Sequence, residues 1–200
     1  VFSHVGRYIS IGDFPIMFYG IIIASGFLVG LLVAQREAKR TGQNPELYLD
    51  YLICMMIPAI IGARAYYVIF SWDYYKDHLA DIINTRHGGL GIVGGVAAAI
   101  IVLLIFAKVR KQKALLMLDT MTMALLIGQI MGRWGNFFNR EAFGGYTDGL
   151  LAMQIPLGYF EQTGRLGEIE QAGLMDHLVN LDVGGQSVAY IQVHPTFLYE

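Results

Sequence analysis

The chain has 200 residues, of which 55% are hydrophobic and 15% are charged, and its mean hydropathy is +0.49. Soluble domains carry about 25% charged residues, so this composition excludes an ordinary soluble domain and indicates a membrane protein. The net charge of −2 excludes a strongly basic nucleic-acid-binding protein, and the single cysteine, Cys54, excludes an intrachain disulfide.

Four apolar segments are predicted to cross the membrane as helices. Each is long enough to span the hydrocarbon core, which needs roughly 20 residues in a helix. In chain order they cover residues 15–34, 47–70, 88–107 and 114–131. Residues 194–200 predict the start of a further span, because Pro195 suits the first turn of a helix.

The loops between these segments predict their orientation, because loops on the cytoplasmic side of a membrane are enriched in Lys and Arg. The loops after the first and third segments carry a group of basic residues: Arg36, Lys39, Arg40, Lys108, Arg110, Lys111 and Lys113. The loop over 71–87 is richer in aspartate than in basic residues. We therefore expect the amino terminus, this loop and everything from Arg133 onward to lie on the outer face.

The predicted fold class is an all-α polytopic membrane protein with a small outer head region of mixed structure. Residues 1–140 are expected to form the transmembrane helices, 141–193 the head, and 194–200 the start of another span. Hydrophobic periodicity within the head predicts a helix over 166–181 and strands over 152–157 and 187–193.

A glycine-rich motif that contains one histidine begins the third predicted span. Gly91 and Gly95 are four residues apart, a spacing that lets another helix backbone approach closely in lipid. An imidazole accepts a proton near neutral pH, so His87 is a candidate general base. His87 is equally well explained as a hydrogen-bonded polar residue at the membrane interface.

The most polar helix end in the chain follows the fourth span. Arg133 offers a planar fork of donors that suits a phosphate or a carboxylate, and Asn136 and Asn139 can donate to ester or phosphate oxygens. Glu141 can hold Arg133 in place or accept a proton, while Gly144 allows a tight turn near a ligand. A lone arginine here would be explained by contact with lipid headgroups, but the polar residues that follow it favour a binding site.

Three more polar residues lie within the predicted spans. A charge at bilayer depth costs about 2.5 to 3.5 kcal/mol unless it is paired or hydrated, so Arg64 and Asp119 are candidates for function. Arg64 could face the same outer cavity as Arg133, whereas Asp119 is equally well explained by the cytoplasmic interface. Tyr19 lies near the outer end of the first span, where an interfacial tyrosine is also common.

The last polar residues are His194, Tyr199 and Glu200, which lie near the outer surface at the predicted entry of the final span. No spacing typical of a zinc site, a nucleotide-binding loop or a serine-hydrolase elbow is present in the sequence. We therefore expect neither a metal ion nor a cofactor.

In order and spacing, these motifs resemble the prolipoprotein diacylglyceryl transferase family. They are His87-Gly-Gly-Leu with Gly94-Gly95, then Gly132-Arg133-x-Gly135-Asn136-Phe137-x-Asn139-x-Glu141 with Gly144, then His194-Pro-Thr-x-Leu-Tyr-Glu200. Supporting matches are Phe18-Tyr19-Gly20 and Gly62-Ala63-Arg64. Family members continue past the His-Pro motif into spans that supply another essential arginine and a carboxylate, so we expect the carboxy-terminal part to be missing here.

The resemblance implies an enzyme of the bacterial inner membrane. It would transfer the diacylglyceryl group of phosphatidylglycerol to the lipobox cysteine of a prolipoprotein and release glycerol phosphate. The implied catalytic residues are Arg133, which would stabilise the charge of the leaving group, and His87, the first candidate for the base. The residues expected to bind substrate are Tyr19, Arg64, Arg133, Asn136, Asn139, Glu141, Gly144, His194, Tyr199 and Glu200.

Two other functions stay open on the sequence. A membrane transporter or lipid-binding scaffold would need polar groups through the full depth of the bilayer, whereas here they gather at the outer ends of the spans. A phospholipid hydrolase would use water instead of a thiol as the nucleophile.

Overall fold

The structure is a computed structural model, and it describes residues 6–85 and 88–199 of the chain. The predicted site residues His87 and Glu200 lie outside the described residues.

A short antiparallel hairpin precedes the first membrane helix. It pairs β1 (Tyr8–Ile11) with β2 (Phe14–Met17), and Tyr8 lies opposite Met17. Gly12, in the two-residue turn, has a φ of 62°, which glycine adopts without steric cost. The hairpin is absent from the predicted elements because its apolar residues merge in sequence with the span that follows.

Four helices among the described residues are long and apolar enough to cross a membrane, so the predicted multi-pass architecture is confirmed. One further helix of a single turn, α3, lies between the second and third of them. In chain order the five are α1 (Phe18–Arg40), α2 (Glu46–Phe70), α3 (Trp72–Tyr75), α4 (Ile92–Val109) and α5 (Ala114–Asn139). A 3-10 turn, Leu79–Ile82, follows α3.

The observed helix bounds differ most from the predicted ones at the fourth span. α5 runs to Asn139, whereas the prediction ends at residue 131, so the polar motif lies on the helix and not after it. Phe137 explains the extension, because its ring is buried in an apolar cluster, and that packing offsets the weak helix propensity of glycine and asparagine. α4 begins later than predicted because Gly88 and Gly89 both have positive φ.

The chain divides into two compact units, which are described separately. One unit contains the residues up to Phe27 together with those from Ile127 onward, and the other contains Leu28–Leu126. α1 and α5 each contribute residues to both units. The domain boundaries predicted from the sequence, after residues 140 and 193, stay a prediction.

The core of the Leu28–Leu126 unit combines small and aromatic side chains from its helices. Its buried members are Ala34, Ala38, Tyr48, Tyr51, Leu103, Ala107 and Met117. α2 and α4 pack closely where Gly62 faces Gly94, and a Cβ added at Gly62 would lie 2.7 Å from the carbonyl oxygen of Gly94. Close backbone packing in this region is confirmed, but its tightest point is Gly94 and not Gly91 or Gly95.

Residues 141–193, the predicted head, contain a three-stranded antiparallel sheet with the order β3-β5-β4. Its elements, with the helix that follows, are β3 (Met153–Pro156), α6 (Leu157–Thr163), α7 (Leu166–Gln171), a 3-10 turn (Leu174–His177), β4 (Val179–Val183), β5 (Gln186–Val193) and α8 (Thr196–Tyr199). Gly184 and Gly185 connect β4 to β5 with φ values of 64° and 84°, as a tight hairpin turn requires. Buried Ile155, Phe160 and Ile191 lie in its core.

The head prediction was partly correct. Strands 152–157 and 187–193 are confirmed as β3 and β5. The helix over 166–181 is wrong beyond Gln171, because Gly173 at a φ of 66° ends it and the residues from Val179 form β4. The described residues contain two sheets, so the predicted all-α class is not confirmed. The coarser prediction of a mainly helical membrane protein is confirmed.

Candidate functional site

The polar motif occupies the last turns of α5. With 3.6 residues per turn, Gly132, Asn136 and Asn139 lie on one side of the helix, with Arg133 beside Asn136. A Cβ built at Gly132 would meet no other atom within 4 Å in the described part of the chain. Arg133 and the two asparagines are half-buried. The described part of the chain therefore leaves the surface at Gly132 open, next to the turns of α5 that carry the arginine and the two asparagines.

The backbone turns sharply where α5 ends. Arg140 and Ala142 have φ values of 58° and 49°, a left-handed conformation that is uncommon outside glycine. The amide of Arg140 donates to Phe137 O at 3.2 Å, and the amide of Glu141 donates to Asn136 O at 3.0 Å. These two bonds form the capping arrangement that usually has glycine at the left-handed position. The Glu141 side chain is exposed, and its predicted pairing with Arg133 stays a prediction.

The predicted His194 segment pairs directly with the chain after α5. The amide of Gly144 donates to His194 O at 3.0 Å, and the amide of His194 donates to Gly145 O at 3.0 Å. The Thr196 hydroxyl donates to Ala142 O. Two motifs that are distant in sequence are therefore joined by backbone hydrogen bonds.

Aromatic packing strengthens this connection. The Phe197 ring lies 4.5 Å from the Phe137 ring and 5.1 Å from the Trp134 ring, between centroids. His194 is exposed, and its Nδ1 lies 3.4 Å from the hydroxyl of Tyr199. The packing places α8 against the end of α5, so His194 and Tyr199 belong to the same compact unit as the polar motif.

Substitution of Gly144 tests this junction. An added Cβ would lie 2.8 Å from the Cβ of His194, closer than real Cβ atoms approach, so Gly144→Ala is expected to destabilise the protein by about 1 to 3 kcal/mol. Gly145→Ala is the matched control, because a Cβ there would meet no described atom within 4 Å. Thermal unfolding of both variants in detergent measures the difference, and equal melting temperatures would contradict the predicted clash.

Tyr19 packs against α5 within the polar motif, and its predicted contact with substrate stays a prediction. Its ring carbons lie 3.0 Å from the position that a Cβ would take at Gly135, so only glycine fits there without movement. Phe18 contacts Phe138 with a centroid distance of 5.2 Å. The absence of a side chain at Gly135 is therefore what allows α1 to approach α5 at this level.

Arg64 is buried in the other unit, and its guanidinium holds a loop together. Arginine has five N–H donors, and Arg64 directs all five at backbone carbonyls. Nε donates at 2.8 Å to Ile82, Nη1 at 3.2 and 2.7 Å to Gly88 and Gly89, and Nη2 at 2.6 and 2.9 Å to Asp81 and Asn84. The guanidinium also lies 5.1 Å from the Tyr75 ring centroid.

This arrangement changes how Arg64 is understood. Its donors are used within the chain, where they hold backbone carbonyls of residues 81–84 and of Gly88 and Gly89. The predicted contact of Arg64 with substrate stays a prediction, and the structure adds a positioning role that was missed. The partners of Arg64 are backbone carbonyls, which every residue has, so the sequence contains no signal from which this positioning role could be predicted.

Tyr159, also missed, connects the head to the motif. It lies on α6, and its hydroxyl donates to the carbonyl oxygen of Asn139 at 3.1 Å.

Asp119 is exposed, so the structure does not decide between a functional role and a place near the cytoplasmic interface. Among the described residues, no group of three or more His, Cys, Asp or Glu side chains is arranged to hold a metal ion.

Comparison with known proteins covers nearly the whole chain. The sequence profile of a family described as prolipoprotein diacylglyceryl transferase matches residues 7–200. A protein of Bacillus cytotoxicus named phosphatidylglycerol--prolipoprotein diacylglyceryl transferase is 41% identical over 192 residues, which are 96% of this chain and 63% of the relative. Proteins with the same name from Finegoldia magna and Bacillus mycoides are 39% and 38% identical, also over 96% of this chain. The chain spans 63 to 64% of the length of these relatives.

Proposed function

The chain belongs to the prolipoprotein diacylglyceryl transferase family, and we propose that the protein transfers the diacylglyceryl group of phosphatidylglycerol to the lipobox cysteine of a prolipoprotein. The observation that carries this proposal is the grouping of Tyr19, the Arg133 motif and the His194 segment in one compact unit. The names of the relatives support the same reaction and give no support to a transporter or scaffold.

The reaction breaks one carbon–oxygen bond and forms one carbon–sulfur bond. The thiolate sulfur of the acceptor cysteine attacks the glycerol carbon that bears the phosphate ester. The carbon–oxygen electron pair leaves with the phosphate, and glycerol phosphate is released. A guanidinium stabilises the negative charge that develops on this leaving group, which is the role proposed for Arg133. The amides of Asn136 and Asn139 would hold the headgroup from the same side of α5.

The thiol must lose its proton before it attacks, because the thiolate is the reactive form. His87 is the proposed base, and Arg64 would position it indirectly through the loop over 81–89. Tyr19, His194, Tyr199 and Glu200 are proposed to line the substrate site, and Glu141 and Gly144 to shape it. The acceptor sulfur arrives on the prolipoprotein, so Cys54 has no assigned role.

The distribution of charge along the chain supports a proposal for the location of the site. We propose that the protein lies in the bacterial cytoplasmic membrane, with its amino terminus, head and substrate site on the outer face. Four helices that can span a membrane support a multi-pass protein. Basic residues at the carboxy-terminal end of α1, and at the end of α4 and in the loop after it, support the orientation.

A transfer assay tests the reaction. Membranes that contain the complete protein are incubated with a lipobox peptide and with phosphatidylglycerol labelled in the glycerol backbone of its diacylglyceryl group. The label is expected to move to the peptide in a bond that resists mild base, as a thioether does. Release of glycerol phosphate with no labelled peptide would instead assign a phospholipid hydrolase.

His87→Gln tests the proposed base. A neutral imidazole accepts the proton, so the rate of the unaltered enzyme is expected to rise with pH through about 6 to 7. The variant should be slower, and its rate should lose that rise. His78→Gln is the matched control, because His78 is exposed and stacks on Tyr74 in the same loop. An unchanged pH profile in His87→Gln would assign His87 to binding.

A further inference from the structure

The carbonyl groups at the end of α5 accept hydrogen bonds from residues that follow the helix. The last four carbonyls of a helix have no partner within it, and here they include those of Asn136 and Asn139, two proposed headgroup-binding residues. The amide of Glu141 donates to Asn136 O at 3.0 Å. The carbonyl of Asn139 accepts the hydroxyl of Tyr159, a side chain of α6, at 3.1 Å. A side chain distant in sequence therefore holds the last residue of α5.

The backbone that follows this bond is strained. Arg140 and Ala142 have φ values of 58° and 49°, and a residue other than glycine stays in this left-handed region only where the surrounding contacts enforce it. The bond from Tyr159 to Asn139 lies immediately before the first of these residues. It therefore helps to fix the direction in which α5 ends, and with it the orientation of Asn139.

Tyr159 is itself fixed by its surroundings. Its side chain is buried, and its ring centroid lies 5.1 Å from that of Phe160. The Cζ atoms of Arg7 and Arg140 lie 4.8 and 5.1 Å from the centroid of the Tyr159 ring. These contacts involve the ring and not the hydroxyl. Tyr159→Phe therefore keeps them and removes only the hydrogen bonds of the hydroxyl.

A neighbouring arginine orients the Tyr159 hydroxyl. Arg165 Nη1 donates to this hydroxyl at 3.3 Å. Because a guanidinium only donates and a carbonyl only accepts, the single hydrogen of the hydroxyl is directed at Asn139 O. Arg165 is held in turn by Glu168, to which its Nε and Nη2 atoms donate at 2.9 and 2.7 Å. Hydrogen bonds in such a chain polarise one another, so Arg165 strengthens the bond between Tyr159 and Asn139.

We propose that Tyr159 is a positioning residue for the lipid substrate. Its hydroxyl, oriented by Arg165, fixes the Asn139 backbone so that the side-chain amide of Asn139 meets the phosphate headgroup of phosphatidylglycerol. This inference rests on the proposed function, which assigns Asn139 to the headgroup. Tyr159 acts through Asn139 and not by contact with the lipid. A small rotation of the Asn139 backbone would misalign the amide, and hydrogen bonds weaken steeply when they are bent.

A double-mutant cycle separates positioning from stabilisation of the fold. The complete protein, in uncharged detergent and without acceptor peptide, is titrated with short-chain phosphatidylglycerol. Tyr159→Phe is expected to raise the Kd by about fivefold. In an Asn139→Ala background, which keeps the carbonyl but lacks the side-chain amide, the same change should alter the Kd by less than about twofold. The melting temperature should fall equally in both backgrounds, because the bond from Tyr159 is lost in each.

Tyr8→Phe is the matched control, because it removes the hydroxyl of an exposed tyrosine in the same unit and should leave the Kd within about twofold. Arg165→Gln removes the donor that orients the Tyr159 hydroxyl. It should also raise the Kd only where Asn139 is present, and it covers the case in which Tyr159→Phe does not fold.

Two results would overturn the positioning role. One is a Kd that Tyr159→Phe leaves unchanged, and the other is an equal rise of the Kd with and without the Asn139 side chain, which would mean a purely structural effect. The titrations need no acceptor peptide and no turnover. Failure of the proposed reaction is therefore detected separately, by the transfer assay.

Discussion

Replacing Arg133 with alanine is expected to abolish diacylglyceryl transfer in the complete protein, with a loss of at least about 100-fold in rate. The guanidinium would otherwise stabilise the negative charge that develops on the phosphate as the carbon–oxygen bond breaks. Folding should survive the change, because Arg133 is half-buried and lies outside the apolar cluster around Phe137. Transfer of labelled diacylglyceryl to a lipobox peptide measures the rate.

Two companion measurements make this result specific. Arg133→Lys keeps the charge but cannot donate in the planar, two-pronged manner of arginine, so it should retain only part of the activity. Gel filtration and thermal unfolding in detergent should give Arg133→Ala the profile of the unaltered protein. Normal transfer by a folded Arg133→Ala protein would refute the catalytic role.

Replacing Arg64 with alanine is expected to have the second largest effect, and this effect is on structure. Five backbone carbonyls, including those of Gly89 and Asp81, would lose the donors that the buried Arg64 side chain supplies. A buried acceptor left without its donor typically costs about 1 to 3 kcal/mol. We expect a lower melting temperature in detergent and faster proteolysis within residues 81–89. Transfer should fall as well, because His87 belongs to this segment.

Arg110→Ala is the matched control for Arg64→Ala. Arg110 lies in the same unit and pairs with Asp50, but both side chains are nearly half exposed. Surface ion pairs contribute about 0 to 1 kcal/mol, so this variant should melt close to the unaltered protein. Arg64→Lys should resemble Arg64→Ala more than the unaltered protein, since an ammonium has three donors for five carbonyls. If Arg64→Ala left stability and proteolysis unchanged, the positioning role would be wrong.

The carboxy-terminal end of α5 could not be located from the sequence. Local propensity favours a helix that stops before Gly132, since glycine and asparagine are weak helix formers. The helix continues because Phe137 packs with Phe197 and residues of the head. That contact joins residues far apart in the chain, and a local pattern does not contain it. The helix predicted over 166–181 fails for a related reason, because β4 pairs with β5 over part of that range.

The sequence by itself determined the four membrane-spanning helices and the types of residue available for chemistry. An apolar run of this length must satisfy its backbone hydrogen bonds internally, so its helical structure does not depend on its neighbours. Only the tertiary structure decided which polar residues meet. It placed Tyr19 against Gly135, paired Gly144 with His194, and surrounded Arg64 with carbonyls. Such contacts depend on backbone groups and on packing between distant segments, and neither leaves a periodic signal in the chain.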